Sequence, residues 1–390
     1  MSERKLATIR TIAEVQPIPG ADFIEAVRVD GWWVVDKKGR KVGEKVVYFE
    51  IDSYIPVRPE FEFLRASSYK PYSDGREGFR LKTRKLRKQI SQGLVMTPSE
   101  IGLGDLPTGT DVTEQLGVTK WEPMFRQRGA GSGGGGFNGR PFPSDIQKTD
   151  QERIQNVRLE DIRGGEYEVT LKLDGTSLTV FARTDGTVGV CSRNYELMLD
   201  RVAKTQSWGI RWRRAFRRFC ARLGMDTSQW PKLIYRRERY PAEEESVYVR
   251  YFYEKNLGEA AGSLCHLMGR DVAIQGELMG PGIQKNREGL EELQLFVFDI
   301  YIPGLGYMVP EKRRRAVDLI GLTHIPVLET NLELDTEWDR DKILAYADRK
   351  SLNHKIAEGV VFKRNRPLND LRAVNSFKAI NNRFLLKEED

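Results

Sequence analysis

A run of glycine divides this chain before any motif is considered. From Gly129 to Pro141 the sequence reads Gly-Ala-Gly-Ser-Gly-Gly-Gly-Gly-Phe-Asn-Gly-Arg-Pro, with too few side chains to pack and too much backbone freedom to hold a strand or helix. A hydrophobic core cannot run through it. At 390 residues the chain also exceeds the usual span of one core. The run therefore predicts two domains, residues 1–128 and 151–390, joined by a flexible linker over 129–150. Some glycine-rich loops cradle phosphates, but this one lacks the Gly-Lys-Ser/Thr ending and the strand-to-helix setting that such a loop needs.

The first domain reads as β-structure. Short runs such as Val27-Arg28-Val29, Trp32-Trp33-Val34-Val35 and Lys45-Val46-Val47-Tyr48-Phe49-Glu50-Ile51 are separated by Gly, Pro and Asp, the rhythm of a small barrel. The stretch Val15-Gln16-Pro17-Ile18-Pro19-Gly20-Ala21-Asp22 resembles the opening of OB-fold domains, including those appended to tRNA-binding proteins. OB folds commonly bind oligonucleotides in a basic groove with stacking aromatics. Between Phe79 and Gly93 lie six cations, Arg80, Lys82, Arg84, Lys85, Arg87 and Lys88. Such a strip is either a solvated face or a phosphate-binding one. Over the whole chain, 63 Lys+Arg against 56 Asp+Glu give a net charge of +7, which favours a polyanion partner.

In the second domain the segment Glu166-Tyr167-Glu168-Val169-Thr170-Leu171-Lys172 alternates loosely between polar and apolar residues and is rich in strand formers. Leu173-Asp174-Gly175 then breaks the pattern, so Lys172 is expected at the tip of a strand. A lysine has an ordinary pKa of about 10.4, and a nucleophilic lysine must be partly buried or set beside another cation to lose its proton. Gly175, without a Cβ, allows a phosphate or sugar to approach the backbone. Taken alone, the tetrapeptide reads first as a strand ending in an ordinary Asp-Gly turn.

A series of downstream motifs carries more weight. In order they are Ser192-Arg193-Asn194, Ile274-Gln275-Gly276-Glu277-Leu278-Met279-Gly280, Leu295-Phe296-Val297-Phe298-Asp299-Ile300, Glu358-Gly359-Val360-Val361-Phe362-Lys363 and Ser376-Phe377-Lys378-Ala379-Ile380. Glu277 ends an apolar run, where a carboxylate at a sheet rim can accept from a ribose hydroxyl. The period of two puts the rings of Phe296 and Phe298 on one sheet face, as core or as a stacking surface for a base.

This ordered series resembles the covalent nucleotidyltransferase superfamily of RNA ligases, DNA ligases and mRNA capping enzymes, over roughly residues 155–387. The resemblance implies an α+β protein, with an N-terminal OB-like β-barrel followed by an ATP-grasp-like nucleotidyltransferase domain of mainly antiparallel sheets with helices. It implies Lys172 as the nucleophile toward the α-phosphorus of ATP, with Leu171, Asp174, Gly175, Arg193, Phe298 and Lys363 around the nucleotide. Phe298 would stack on the base, Glu277 would serve the ribose, and Lys378 would face the α-phosphate. Glu358 would organise Mg²⁺ or Mn²⁺. An OB-like domain ahead of the lysine motif, with twelve residues after Lys378, resembles the Deinococcus-type branch of the ATP-dependent RNA ligases. That branch seals 3′-hydroxyl/5′-phosphate nicks in duplexes with ribonucleotides at the 3′-hydroxyl side, through lysyl-AMP and an adenylylated 5′-end. Several relatives carry a second lysine where this chain has Ile380, which leaves either another cation, Lys363 or Lys387, as a substitute or a weaker phosphate contact.

Residues 204–255 read as an insertion. In it Trp208, Trp212, Phe216, Phe219 and Leu223 recur at helical spacing, and Arg213, Arg214, Arg217 and Arg218 fall on other faces. The stripe can dock the helix, the arginines can hold RNA, and both can hold together. Cys191, Cys220 and Cys265 are scattered, without a Cys-x-x-Cys pair, so neither a disulfide framework nor a zinc site is expected. With no apolar leader and no membrane-length apolar stretch, the expectation is a cytoplasmic monomer whose partner is RNA or an RNA-containing nicked duplex. Two alternatives stand at this point: an RNA-binding protein with a degenerate nucleotidyltransferase domain, and a DNA ligase or guanylyltransferase.

Overall fold

The computed structural model describes residues 4–72, 75–121, 139–148, 150–199, 246–370 and 373–387. Most of the glycine run, with Lys204 to Tyr240 and hence Arg213, Arg214, Arg217 and Arg218, lies outside the described residues.

The N-terminal unit is built on the long strand Ala7–Pro17. Its first half pairs with Lys45–Phe49 and its second half with Ile24–Val29, and a register shift between Ile12 and Glu14 bends it across the two ladders. The sheet order is Trp32–Lys37, Ile24–Val29, Ala7–Pro17, Lys45–Phe49, Leu94–Met96. This is a nearly closed OB-fold barrel, as the strand rhythm predicts. Alternation along the strands feeds two apolar clusters, one around Ile9, Phe49, Phe61 and Phe79 and one around Val27, Trp32, Val34 and Tyr48.

Two antiparallel-dominated sheets form the second unit. An eight-stranded sheet contains Thr176–Ala182, Val272–Met279 and Gln294–Ile302 as neighbours, and a five-stranded sheet contains Ser376–Ile380, Gly359–Arg364 and Glu166–Lys172. Helices Val247–Glu254 and Leu257–Met268 cover one face of the larger sheet through Phe252, Leu257 and Leu264 against Val180, Ile274 and Leu278. Gly139–Pro141, within the stretch read as linker, pairs with Tyr195–Leu197 at the edge of this sheet.

The two units meet along a bonded seam. Gly31 donates its N–H to the Gln155 carbonyl, 3.1 Å, and a Cβ there would stand 2.7 Å from Gln155 Cα, so only glycine permits the approach. Trp32 Nε1 donates to Asn156 Oδ1 at 2.6 Å, and Arg153 Nη2 reaches Asp52 Oδ2 at 3.1 Å. The C-terminal helix Asn382–Lys387 continues the contact, with Gln92 Nε2 donating to Asn382 Oδ1 at 3.2 Å and Leu385 packed on the Trp32 cluster. Among the described residues no helix is long and apolar enough to cross a membrane.

Candidate active site

Register explains why one strand supplies both core and chemistry. On the five-stranded sheet Glu168 pairs with Lys363, Thr170 with Val361 and Lys172 with Gly359, while Val361 pairs in turn with Lys378. Directly paired residues share a face. Glu168, Thr170, Lys172, Lys363 and Lys378 therefore stand on one side, and Tyr167, Val169, Val360, Phe362, Phe377 and Ala379 form the core on the other. Lys172 ends its strand, and after Leu173-Asp174-Gly175 the chain enters Thr176–Ala182 of the other sheet. The lysine sits where the two sheets diverge.

At that corner Lys172 Nζ lies 2.6 Å from Glu358 Oε1. Glu277, in register with Ser177 on the adjoining sheet, accepts from the Gly175 N–H at 3.0 Å. Gly175 is required less by a ligand than by this contact: a Cβ there would fall 2.5 Å from the Leu278 carbonyl oxygen. Burial opposes charge on Lys172, yet Glu358, Glu277 and Asp174 outweigh it and raise the lysine above its ordinary pKa. This corrects the expectation of a depressed nucleophile, because three carboxylates surround the ammonium. Burial and the nearby Glu358 push Glu277 up to about 7, against the pull of Lys172.

Lys378 points to the same side and bonds to Asp150 Oδ1 at 2.7 Å. Burial, Arg153 and Lys172 lower it to about 8, with Asp150 opposing. Arg193 approaches the other Asp150 oxygen at 3.9 Å, so one carboxylate joins the two cations. No sequence pattern marks Asp150, which precedes the lysine strand in an unremarkable polar stretch. Arg153, in register with Lys378 on the parallel strand Glu152–Arg153, was missed for the same reason.

Phe298 is the extra residue of a β-bulge. Gln275 pairs with Asp299 but Gly276 pairs with Val297, so the alternation slips by one and Asp299 turns to the pocket side. There Lys363 Nζ lies 2.7 Å from Asp299 Oδ1, donates to the Phe298 carbonyl at 2.6 Å and stands 5.6 Å from the Phe298 ring centroid. Burial lowers Lys363 to about 8, with Asp299 opposing. Behind it the fully buried Arg313 bonds to Glu168, which also holds Arg314. Phe296 and Phe298 share one apolar cluster, as their spacing predicts, and Leu171 lies buried in the same cluster. Ile380 is buried at 3% exposure on the Lys378 face, and Lys363 is committed to Asp299.

The basic strip of the OB unit is partly a hairpin. Thr83–Leu86 pairs with Gln89–Gln92, and its two-residue tip is Arg87-Lys88 with φ of +46° and +69°. Hairpin tips of this hand favour Asn and Gly. Lys85, Arg87 and Lys88 are exposed, Lys82 and Arg84 half-buried, and Arg80 sits 5.3 Å from the Trp121 ring with Asp52 at 3.8 Å.

A lysine at the junction of two antiparallel sheets, with carboxylates on both and an OB unit docked alongside, defines a nucleotidyltransferase-type ligase. Residues 6–98 match an OB-fold domain and residues 165–380 match the RNA ligase family, and the chain belongs to that family. Naegleria gruberi RNA ligase in a ligand-free mutant form is similar over 100% of both chains, at 36% identity and a TM-score of 0.77. The same protein with pyrophosphate matches at 36% and 0.77 over 99% of both chains, and a mutant with ATP and Mn at 35% and 0.76 over 99% of both. No curated protein matches the chain.

Proposed function

We propose that this chain is an ATP-dependent RNA ligase of the Deinococcus-type branch, sealing nicks between a 3′-hydroxyl and a 5′-phosphate in duplexes with ribonucleotides at the 3′-hydroxyl side. The observation that carries the reading is the Lys172–Glu358 contact of 2.6 Å at the junction of the sheets, with Glu277 beside it. ATP as the nucleotide is supported by solved structures of the Naegleria protein that hold ATP or AMP with Mn.

Lys172 Nζ, once deprotonated, attacks the α-phosphorus; a P–N bond forms and pyrophosphate leaves. The AMP then passes to an RNA 5′-phosphate, breaking the P–N bond and forming a phosphoanhydride. A 3′-hydroxyl attacks the phosphorus of the RNA 5′-phosphate, the phosphoanhydride breaks, AMP leaves, and the strand is closed by a phosphodiester. Lys378 stabilises negative charge at the α-phosphate, with Arg193 on the nucleotide or RNA end. Phe298 stacks on the base, and Glu277 accepts from the ribose. The OB strip Arg80, Lys82, Arg84, Lys85, Arg87 and Lys88 takes the RNA backbone, as do the arginines at 213, 214, 217 and 218.

A hard divalent ion fits Glu358, a carboxylate at the junction of the sheets. Mg²⁺ or Mn²⁺ would be held there by one carboxylate together with substrate phosphates. When bound, such an ion would supply positive charge at the phosphate, and Glu358, now paired with Lys172, would hold it.

The test is incubation with α-labelled ATP or GTP and Mg²⁺ or Mn²⁺, beside Lys172→Ala, on a denaturing gel. Label from ATP in the wild type alone is expected. Its absence from folded protein that is not already adenylylated would overturn the reading in favour of an RNA-binding protein.

A further inference from the structure

The Asp174-Gly175 turn after Lys172 is held by side chains from the strand Val272–Met279 and from the short loop that follows it. Gly175 donates its N–H to Glu277, and its carbonyl accepts from Gln284 Nε2 at 3.2 Å. Arg287 Nη1 lies 4.0 Å from Asp174 Oδ2, and its guanidinium stands 4.5 Å from the Phe384 ring on the C-terminal helix. The loop between Met279 and Leu290 thus reaches both residues of the Asp174-Gly175 turn.

That loop is kept in a costly shape. Gln284 and Asn286 have φ of +44° and +42°, a region that L-residues with side chains enter seldom and retain only where surroundings enforce it. Asn286 locks the loop by bonding both backbone groups of Leu290, at 2.9 and 3.1 Å. Glu288 accepts from the N–H groups of Asn353 and His354 at 2.6 and 2.9 Å, tying it to the segment that leads to Glu358. Glycine at 284 would relieve the backbone but forfeit the bond to Gly175. The strain therefore accompanies a side chain aimed at the nucleophile's own turn.

We infer that Gln284 and Arg287 are positioning residues for lysine nucleotidylation, fixing the Asp174-Gly175 turn so that Lys172 meets the α-phosphorus in line. Neither is assigned a contact with the nucleotide. The inference rests on the proposed ligase reading and deepens it. A nucleophile displaced by a fraction of an ångström loses rate without losing substrate affinity.

The experiment measures label transfer from α-labelled ATP with Mn²⁺ across ATP concentrations, for full-length wild type, Gln284→Ala, Arg287→Ala and Arg287→Lys, with a thermal melt of each. The maximal rate is expected to fall on the order of ten- to a hundredfold in Gln284→Ala and Arg287→Ala, with half-saturating ATP within about threefold of wild type. Arg287→Lys should restore most of the loss, since a cation remains beside Asp174. A wild-type rate in Gln284→Ala would overturn the inference even if Arg287→Ala fails to fold. So would a loss confined to ATP saturation, or one that tracks melting temperature alone. No label in the wild type would remove the ligase reading and this inference together, whereas label in the wild type with unaltered variants removes the inference alone.

Discussion

Lys172 Nζ and Glu358 Oε1 are 2.6 Å apart, so the group assigned as nucleophile begins as the ammonium half of an ion pair. Glu358 and its neighbours hold Lys172 above its ordinary pKa. In the proposed reaction the amine would become reactive when that carboxylate is engaged elsewhere, which a divalent cation held on Glu358 would do.

Glu358→Gln should then separate two effects. Without metal, Lys172 loses an anionic neighbour, its pKa falls, and its modification by an amine-reactive reagent should move to lower pH. With ATP and Mn²⁺, label transfer should nonetheless drop on the order of 100-fold. Peptide mapping of the reagent and gel assay of the label check the two halves.

Glu277 should make stability depend on pH. Its folded value of about 7 lies above the ordinary 4.5, so between those values the folded state binds more protons than the unfolded state and stability falls as pH rises. In Glu277→Gln this contribution disappears, and the decline of melting temperature from pH 5 to pH 7 should be shallower by roughly 2–5 °C. Melts across that range measure it.

Gly175→Ala should be far more damaging than an exposed Gly→Ala change. The new methyl would lie 2.5 Å from the Leu278 carbonyl, and relieving such a clash costs about 1–3 kcal/mol. The displaced turn carries Lys172 with it. Denaturant unfolding together with loss of label transfer is the expected pair of results.

Glu168→Gln should destabilise the protein by about 3–5 kcal/mol. Glu168 is buried at 0% exposure and holds both Arg313 and Arg314, so neutralising it leaves fully buried Arg313 with only Asp299, 3.5 Å away and already engaged by Lys363, as counter-charge. Equilibrium unfolding of the variant reports the loss.

The Arg87→Asn, Lys88→Gly double variant should gain stability and lose RNA. Both tip residues have positive φ, and relieving them is worth on the order of 1–2 kcal/mol in total. If these two exposed cations face RNA phosphates as proposed, removing them should weaken binding to nicked RNA duplex and flatten the salt dependence of log K by roughly 1.4–1.8. A stable variant with unaltered RNA affinity would show that the hairpin tip is off the nucleic-acid path.

The sequence by itself determined the strand alternation that builds the barrel and the lysine strand, and the order of the motifs that carry Lys172, Glu277, Glu358 and Lys378. Period-two patterning is local, so it was legible in Glu166–Lys172 and in Phe296 and Phe298. Only the tertiary structure decided the electrostatics and the register. Asp150, Arg313 and Gln284 meet their partners across 228, 145 and 109 residues of chain, distances over which no spacing rule applies. The bulge at Phe298 turns Asp299 toward Lys363 by pairing one strand out of step with another, an event invisible in either strand alone. The charge state of Lys172 likewise depends on which carboxylates the two sheets bring around it, because a pKa is set by neighbours in space and not by neighbours in sequence.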